Sequence, residues 1–518
     1  MASPLPFSKL LVPLVSLFTR SSPMRSHHLL SFALALLLST FFSPSLFAQS
    51  SPSRGTEGGS LSWQSLAQHQ PVPDWLRDAK FGIYCHWGVY SVPAYGNEQY
   101  FHYMHCDASS GEYAPGEQFL MGERERQEAI YGPLSEFGYH DFIPMFRAEH
   151  FDADDWALLF QEAGARFAGI VAEHHDGFAM WDSKVTPFCA AQMGPKRDCV
   201  GEIAQAVRKR GLKFFASLHH EINYTYVKVQ EGWAANNPKY RKLYGCLMPH
   251  DEWLQMWSDK CDEVIDQYSP DLLYFDAWMD QIPEERRLRM VQHYFNHAAQ
   301  TGQQVAFTYK YKEFPRTVGM LDHEMSSLND IDTIPWLCDF TIADGYHKSW
   351  GYVKGMQYIS HRDILHRLIQ VVSNNGQLLL NVAPMADGTI PQAQRDILAN
   401  VGVWLWSYGE SIYGTRPYHV SHEEASLVPA GGSPTVRVHY TTKNAGHTLY
   451  AILLDWPGTD VTLLLKEVHE PVRQAILLSV KKNFECPTRL TPEGLLFTIP
   501  RGARLPSDVA SVIRLTFE

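Results

Sequence analysis

The sequence has little that would suit it to a polyanionic partner. Its 44 Lys and Arg are outnumbered by 56 Asp and Glu, giving a net charge of −12, and no basic run stands out, so nucleic acid is excluded as the main ligand. Cysteine is sparse, 8 in 518 residues, with no Cys-x-x-Cys and no Cys/His spacing of a zinc module; a structural zinc site is not expected. There is no internal repeat and no low-complexity tract beyond the first sixty residues. The longest apolar stretch, Leu29 to Phe42, contains Ser and Thr and falls short of the ~20 apolar residues that span a bilayer.

What is present is ordinary bulk and unusual aromaticity. A chain of 518 residues, 45% hydrophobic and 19% charged, is long enough for a barrel with an accessory domain. Aromatic residues reach 13%, with 14 Trp and 25 Tyr; they serve either large cores or surfaces that stack on sugar rings. Met24 to His28 carries charge ahead of the apolar run from Leu29, and Leu46-Phe47-Ala48 precedes Gln49. Residues 1–48 therefore read as a signal peptide. Residues 49–70, opening on the Ser- and Gly-rich Ser50 to Ser60, read as a linker. The product would be exported, with no stable membrane insertion after cleavage. In such a compartment Cys189 and Cys199, which bracket one loop, are the expected disulfide.

From residue 71 to 413, strand-like and helix-like segments alternate. The strands are expected at Phe81–His86, Phe167–Glu173, Leu212–Leu218, Asp271–Phe275, Gln304–Thr308, Val318–Leu321, Phe340–Ala343 and Leu378–Val382. Eight is the count of a (β/α)8 (TIM) barrel. Asp152 is placed to cap a helix from Ala153, Pro283 opens a helix that Gly302 closes, and Pro391 opens another. From 414 to 518 the pattern changes to short β-rich runs separated by Gly, Pro and Asn, which predicts a C-terminal β-sandwich.

Two stretches carry the chemistry: Phe81 to Tyr100, FGIYCHWGVYSVPAYGNEQY, and Ala172 to Asp182, AEHHDGFAMWD. Each starts as a strand that a parallel sheet would bury on both faces and ends in His, Trp, Glu or Asp. Imidazoles, carboxylates and indoles at a strand end suit a sugar: rings cover its apolar face and polar groups meet its hydroxyls. A third stretch, Asp271-Leu-Leu-Tyr-Phe-Asp276-Ala-Trp278, puts a carboxylate at the end of a buried strand. Taken alone, Asp276 is as readily a helix cap as a catalytic group.

The two long stretches resemble the FGIFIHWG…SVPAW…EWY and KHHDGF signatures of the retaining α-L-fucosidase family of glycoside hydrolases, over roughly Trp75 to Tyr413. The resemblance implies a nucleophilic Asp at the end of the fourth strand, which is Asp276 here. It implies that His86, His174 and His175 contact sugar hydroxyls and that Glu98 and Tyr100 belong to the site, with Gln99 standing where relatives carry Trp. Lys310 falls where many relatives carry Arg, and Tyr274, Trp278 and Trp181 are candidate pocket walls. His219-His220-Glu221 is expected in outer subsites. The family's acid/base falls near Glu324, in Asp322-His323-Glu324-Met325.

A retaining glycosidase needs that second carboxyl group protonated at the start and about 5–5.5 Å from the nucleophile. Glu313, the main competitor of Glu324, lies among Lys310, Lys312 and Arg316, cations that would tend to keep it ionised; Glu98, Glu173 and Glu221 remain as further alternatives. The resemblance implies no cofactor, no metal, and a fucosylated oligosaccharide or polysaccharide as substrate, and leaves oligomeric state open. A non-catalytic carbohydrate-binding protein on the same scaffold would keep the His and Trp residues but have no use for paired carboxylates. A metal-dependent barrel hydrolase is prompted by His174-His175-Asp176, although adjacent strand residues should face opposite ways. N-terminal sequencing of exported protein should find the chain starting near Gln49; an intact leader in the membrane fraction would rule out cleavage there.

Overall fold

The structure, a computed structural model, describes residues 61–106, 122–344, 349–428, 435–503, 507 and 509–518. The leader, residues 1–48, lies outside the described residues, as does most of the expected linker. The described end of that linker is packed rather than loose. Trp63–Leu66 forms a helical turn capped by Ser62, Trp63 Nε1 donates to Glu284 Oε1 at 2.6 Å, and His69 stacks on Phe295.

Eight parallel strands close into a barrel: β1 Phe81–Cys85, β2 Phe167–Glu173, β3 Lys213–Leu218, β4 Leu272–Phe275, β5 Ala306–Lys310, β6 Met320–Asp322, β7 Trp336–Thr341 and β8 Gly376–Val382. Alternation along each strand separates two apolar layers. Ile83, Ile170, Phe214, Leu273, Cys338 and Leu380 face the surrounding helices, whereas Tyr84, Val171, Phe215, Tyr274, Met320, Leu337 and Leu379 fill the interior. The N-terminal mouth is plugged from below: Leu76 and Ala79, on the helix Asp74–Ala79 that leads into β1, belong to the interior cluster. Both faces of the strands are thus buried, which is why they read as continuous apolar runs.

The connecting helices follow their sequence signals. Asp152 caps Ala153–Glu162 through the backbone N–H of Asp155 and leaves Trp156, Leu159 and Phe160 buried on one face. Pro283 precedes Glu284–Thr301, which ends at Gly302 with φ 71°. The displacement from expectation is largest at β7 and next at β5, which runs Ala306–Lys310 rather than Gln304–Thr308. The run expected at Phe340–Ala343 is instead Trp336–Thr341, because Asp339 interrupts its apolar pattern while pointing into the barrel. Asp322 likewise ends β6, one residue beyond the expected Leu321.

Residues 416–518 form a nine-stranded antiparallel sheet. Its long strand Arg416–Val428 pairs with Val436–Lys443 over one half and with Val461–Leu465 over the other, with a register shift between Pro417 and His422. The two halves share one core that includes Val438, Leu449, Leu453, Leu463, Phe497 and Leu515. The domain is keyed to the barrel by hydrogen bonds from Trp404 Nε1 to Ala510 O (3.1 Å) and between Ser373 and His439 (3.0 Å). The expected Cys189–Cys199 bond is not made. The Cys189 and Cys199 thiols turn instead to the carbonyls of Ser183 and Arg197. Among the described residues no helix is long and apolar enough to cross a membrane.

Strand packing leaves no room at Gly169, where a Cβ would stand 1.7 Å from the backbone oxygen of Phe215 on β3. Gly169→Ala should destabilise the barrel by about 3 kcal/mol or more, read as a lower thermal midpoint or loss of soluble protein. Gly232→Asn, at a position with φ 84° and open space, should change the midpoint little.

Candidate active site

The C-terminal rim of the barrel collects the charged ends of the strands. Asp276 follows β4 directly, Lys310 ends β5, Glu324 lies two residues past β6, and His86, His174 and His219 follow β1, β2 and β3. They surround a compact cavity of about 110 Å³, also lined by Glu98, Gln99, His175, Trp278, Tyr311, Asp339 and Trp350. At ~30 Å³ per water that is the space of a few waters or one small sugar ring.

At its centre stands the Lys310 ammonium, 2.6 Å from Asp276 Oδ1, 2.6 Å from Glu324 Oε2 and 4.0 Å from Asp339 Oδ2. Burial alone would lower the Lys310 pKa; Asp276, Asp339 and Glu324 outweigh it and hold the amine charged. Burial would likewise raise Asp276, but Lys310, His219 and His175 hold its carboxyl well below the usual carboxylate range. His175 Nε2 and His219 Nδ1 each lie 3.4 Å from Asp276 Oδ2. Glu324 goes the other way. Burial, helped by Asp339 and Asp276, raises it against the pull of Lys310. One carboxyl group is therefore held ionised and its neighbour is biased toward protonation.

The imidazoles are oriented by their partners, and burial favours the neutral form of three of them. Asn381 Oδ1 accepts from both the backbone N–H and ring Nδ1 of His86, at 3.0 and 2.8 Å. An amide oxygen only accepts, so the His86 proton is on Nδ1 and Nε2 is left to the cavity. The His175 Nδ1 is tied to the carbonyl of His219, and the His219 Nε2 to Ser217. Burial lowers the pKa of His86, His174 and His219. Glu98 Oε2 accepts from Trp350 N–H (2.7 Å), Gly351 N–H and Ser349 Oγ, so this carboxylate holds the loop that brings Trp350 to within 5.4 Å of the His86 ring.

Of the residues singled out in the sequence, Asp276, Glu324, His86, Glu98, His174, His175, Trp278 and Lys310 meet at this cavity. Tyr100 does not: it is buried, with its hydroxyl on Gln127 at 2.9 Å. Tyr274 lies beneath the cavity in the barrel interior, its hydroxyl 3.0 Å from both Asp322 and Asp339. Trp181 is core, bonded to Glu263. His219, expected in an outer subsite, is central, whereas His220 turns away onto Trp257. His174 and His175 both line the cavity because β2 ends at Glu173, before strand alternation can separate them.

Glu313 also departs from expectation. Its nearby cations do not keep it ionised: Lys310 is engaged by Asp276 and Glu324, and Arg316 by Asp332 at 2.8 Å. Burial pushes Glu313 up to about 7, and one oxygen accepts from the Met279 N–H. Geometry separates the two glutamates instead, since Glu324 lines the compact cavity and Glu313 does not. Sequence reasoning does not single out Asp339 or Trp350 on the cavity wall, nor Asp322 below it. For the two acids the signal is a carboxylate at an inward position of a strand, visible only once the register is known.

His86, His174 and His219 could together approach a metal ion, as could His175, His219 and Asp276; ligand atoms in each group lie within 4.8 Å of one another. In the second group an ammonium already neutralises Asp276 at 2.6 Å, which opposes a further cation there.

An ionised carboxylate and a raised one, both within reach of a sugar-sized space, are the equipment for acid-assisted displacement at an acetal carbon. On a barrel rim furnished in this way, the protein is a glycoside hydrolase. The α-L-fucosidase family model matches residues 46–410, and the α-L-fucosidase C-terminal domain model matches 432–516. Tissue α-L-fucosidase of Bos taurus is 31% identical over 469 residues, covering 88% of this chain and 90% of that protein. Plasma α-L-fucosidase of Homo sapiens is 30% identical over 407 residues, covering 76% and 78%. The crystal structure of Thermotoga maritima α-fucosidase in complex with fucose superposes with a TM-score of 0.70 at 25% identity, covering 88% of this chain and all of that one. The chain belongs to the α-L-fucosidase family.

Because Lys310 lowers the pKa of both Asp276 and Glu324, Lys310→Met should raise both. An acidic limb that needs Asp276 ionised and a basic limb that needs Glu324 protonated would then both move to higher pH. The pH profile of residual turnover on an aryl α-L-fucoside tests this; limbs moving in opposite directions would refute it.

Proposed function

We propose that the protein is an exported, exo-acting α-L-fucosidase that removes terminal α-L-fucosyl residues from glycans with retention of anomeric configuration. The observation that carries the proposal is the shared ammonium. With Asp276 Oδ1 and Glu324 Oε2 each 2.6 Å from Lys310 Nζ, the two oxygens lie no further apart than twice 2.6 Å. That suits the ~5–5.5 Å of retaining enzymes and is too short for the ~6.5–9.5 Å that inverting enzymes need to seat a water. The small cavity supports single-residue, chain-end action, and residues 1–48 support export.

In the first displacement an Asp276 oxygen attacks the anomeric carbon, and the bond to the leaving oxygen breaks as Glu324 gives that oxygen its proton. Asp276 becomes a neutral ester while Glu324 becomes a carboxylate. In the second, Glu324 takes a proton from water, the water oxygen bonds to the anomeric carbon, and Asp276 departs as a carboxylate. The negative charge beside Lys310 moves from one partner to the other and back, so the ammonium never lacks a counter-ion. His86 and His219, neutral and held by Asn381 and Ser217, and His174, neutral with a buried unpartnered Nδ1, are suited to meet the sugar hydroxyls. A non-catalytic sugar-binding protein would have no need for carboxyl groups biased in opposite directions across one cation.

Asp276→Gly should lose about three orders of magnitude or more in turnover while staying folded. Azide should restore part of it on an activated aryl fucoside, giving a glycosyl azide of inverted configuration. Glu324→Ala should cripple natural fucosides yet still form the fucosyl-enzyme from that aryl substrate. Since the Glu324 pKa is raised and its acid form is required, wild-type activity should fall as pH rises through that pKa; this limb should vanish in Glu324→Ala and persist in Glu313→Gln. The reverse result would transfer the acid role to Glu313.

A further inference from the structure

A second, larger cavity of about 1230 Å³ adjoins the compact one, and Lys310, Tyr311 and Glu324 line both. It runs between the segments that follow β5 and β6, with Trp63, Phe314, Arg316 and Met325 on its walls. Its position is fixed by the chemistry: the acid must reach the leaving oxygen, so the leaving group lies on the Glu324 side of the reacting bond. Its volume exceeds the ~300–1,000 Å³ range of small-molecule sites and is far more than a single sugar ring requires.

The backbone at this junction is strained in a patterned way. Tyr311, the first residue after β5, has φ 53°, and Met325, directly after Glu324, has φ 53°. Both take the left-handed conformation that bulky residues avoid. The result for Tyr311 is a ring 70% exposed at the boundary of the two cavities. Behind it, Glu313 Oε2 is buried and unpartnered while lining the larger cavity, an acceptor or donor in want of a hydroxyl.

Building on the fucosidase reading, we infer that the larger cavity is the leaving-group subsite, that it takes an oligosaccharide of two or more sugars rather than a small aglycone, and that Tyr311 is its stacking platform. An exposed ring held on strained backbone beside the acid offers its face to the apolar side of the first leaving-group sugar. Glu313 supplies a polar contact deeper in the cavity.

The experiment compares kcat/KM on a fucosylated trisaccharide with kcat/KM on α-L-fucosyl fluoride, which has no leaving-group sugar. Tyr311→Gly is suited to the left-handed backbone and should lower the trisaccharide-to-fluoride ratio about ten-fold or more, chiefly through KM of the trisaccharide. Tyr311→Phe, which keeps the ring, should hold the ratio within about two-fold. A ratio unchanged in Tyr311→Gly, whether because both substrates suffer equally or because neither does, would overturn the assignment of Tyr311. Wild-type protein that fails to turn over fucosyl fluoride would instead overturn the fucosidase reading, and the subsite with it.

Discussion

One positive charge organises the catalytic face. The Lys310 ammonium is buried, and it is stable there only because carboxylates surround it. Each carboxylate is in turn tuned by it. Both meet the ammonium at 2.6 Å, but Asp276 also has two imidazoles and is held ionised, whereas Glu324, on the open side, is left raised. Beneath them Asp339 and Asp322 close the arrangement from inside the barrel, with Tyr84 and Tyr274 hydroxyls on Asp339. Burial raises the pKa of both acids, Asp322 to about 6, so this floor carries less negative charge than two carboxylates would. The cation is thereby left chiefly to Asp276 and Glu324.

The barrel is legible in the sequence because parallel strands buried on both faces are nearly continuous apolar runs. Most of the eight fall close to where those runs sit, and the exceptions have a cause. At β7, Asp339 breaks the run and hides the strand, yet the same inward carboxylate helps position Lys310. The rim residues are legible through type and place together: Asp276 after Tyr274-Phe275, and the imidazoles after β1 and β2. Strand periodicity misleads where the strand has already ended, as at His174 and His175. It would have served just past β3, where His219 turns in and His220 out. Tyr100 has the right motif and the wrong direction, because the short helix Tyr100–Tyr103 turns it into the core. Glu313 shows the limit of reading charge along a chain: cations near it in sequence, Lys310 and Arg316, are engaged elsewhere in space.

The site is built from segments with different tolerances for change. The floor stands on strands and the imidazole wall directly follows them, held by partners that strands carry, as in the double acceptance by Asn381 Oδ1 from the backbone N–H and ring of His86. The opposite wall stands on the segments after β4, β5 and β6, where Trp278, Tyr311 and Met325 all have positive φ. Among the described residues, neither cavity draws a lining residue from the C-terminal sheet. That domain meets the barrel through the helices His361–Ser373 and Gln392–Tyr408 instead, so the two cavities and the domain docking rest on separate parts of the chain.

The free thiols bear on how such a protein is made. Seven of the eight cysteines are buried, and burial raises the pKa of those in the barrel core, such as Cys85, Cys199, Cys261 and Cys338, which keeps them as unreactive thiols. The loop between Cys189 and Cys199 is closed without a cross-link, each thiol resting on a backbone carbonyl. That loop therefore draws nothing from an oxidising medium, and its closure is the same whether the surroundings are reducing or not. A thiol reductant in the storage buffer leaves both carbonyl contacts of the loop in place.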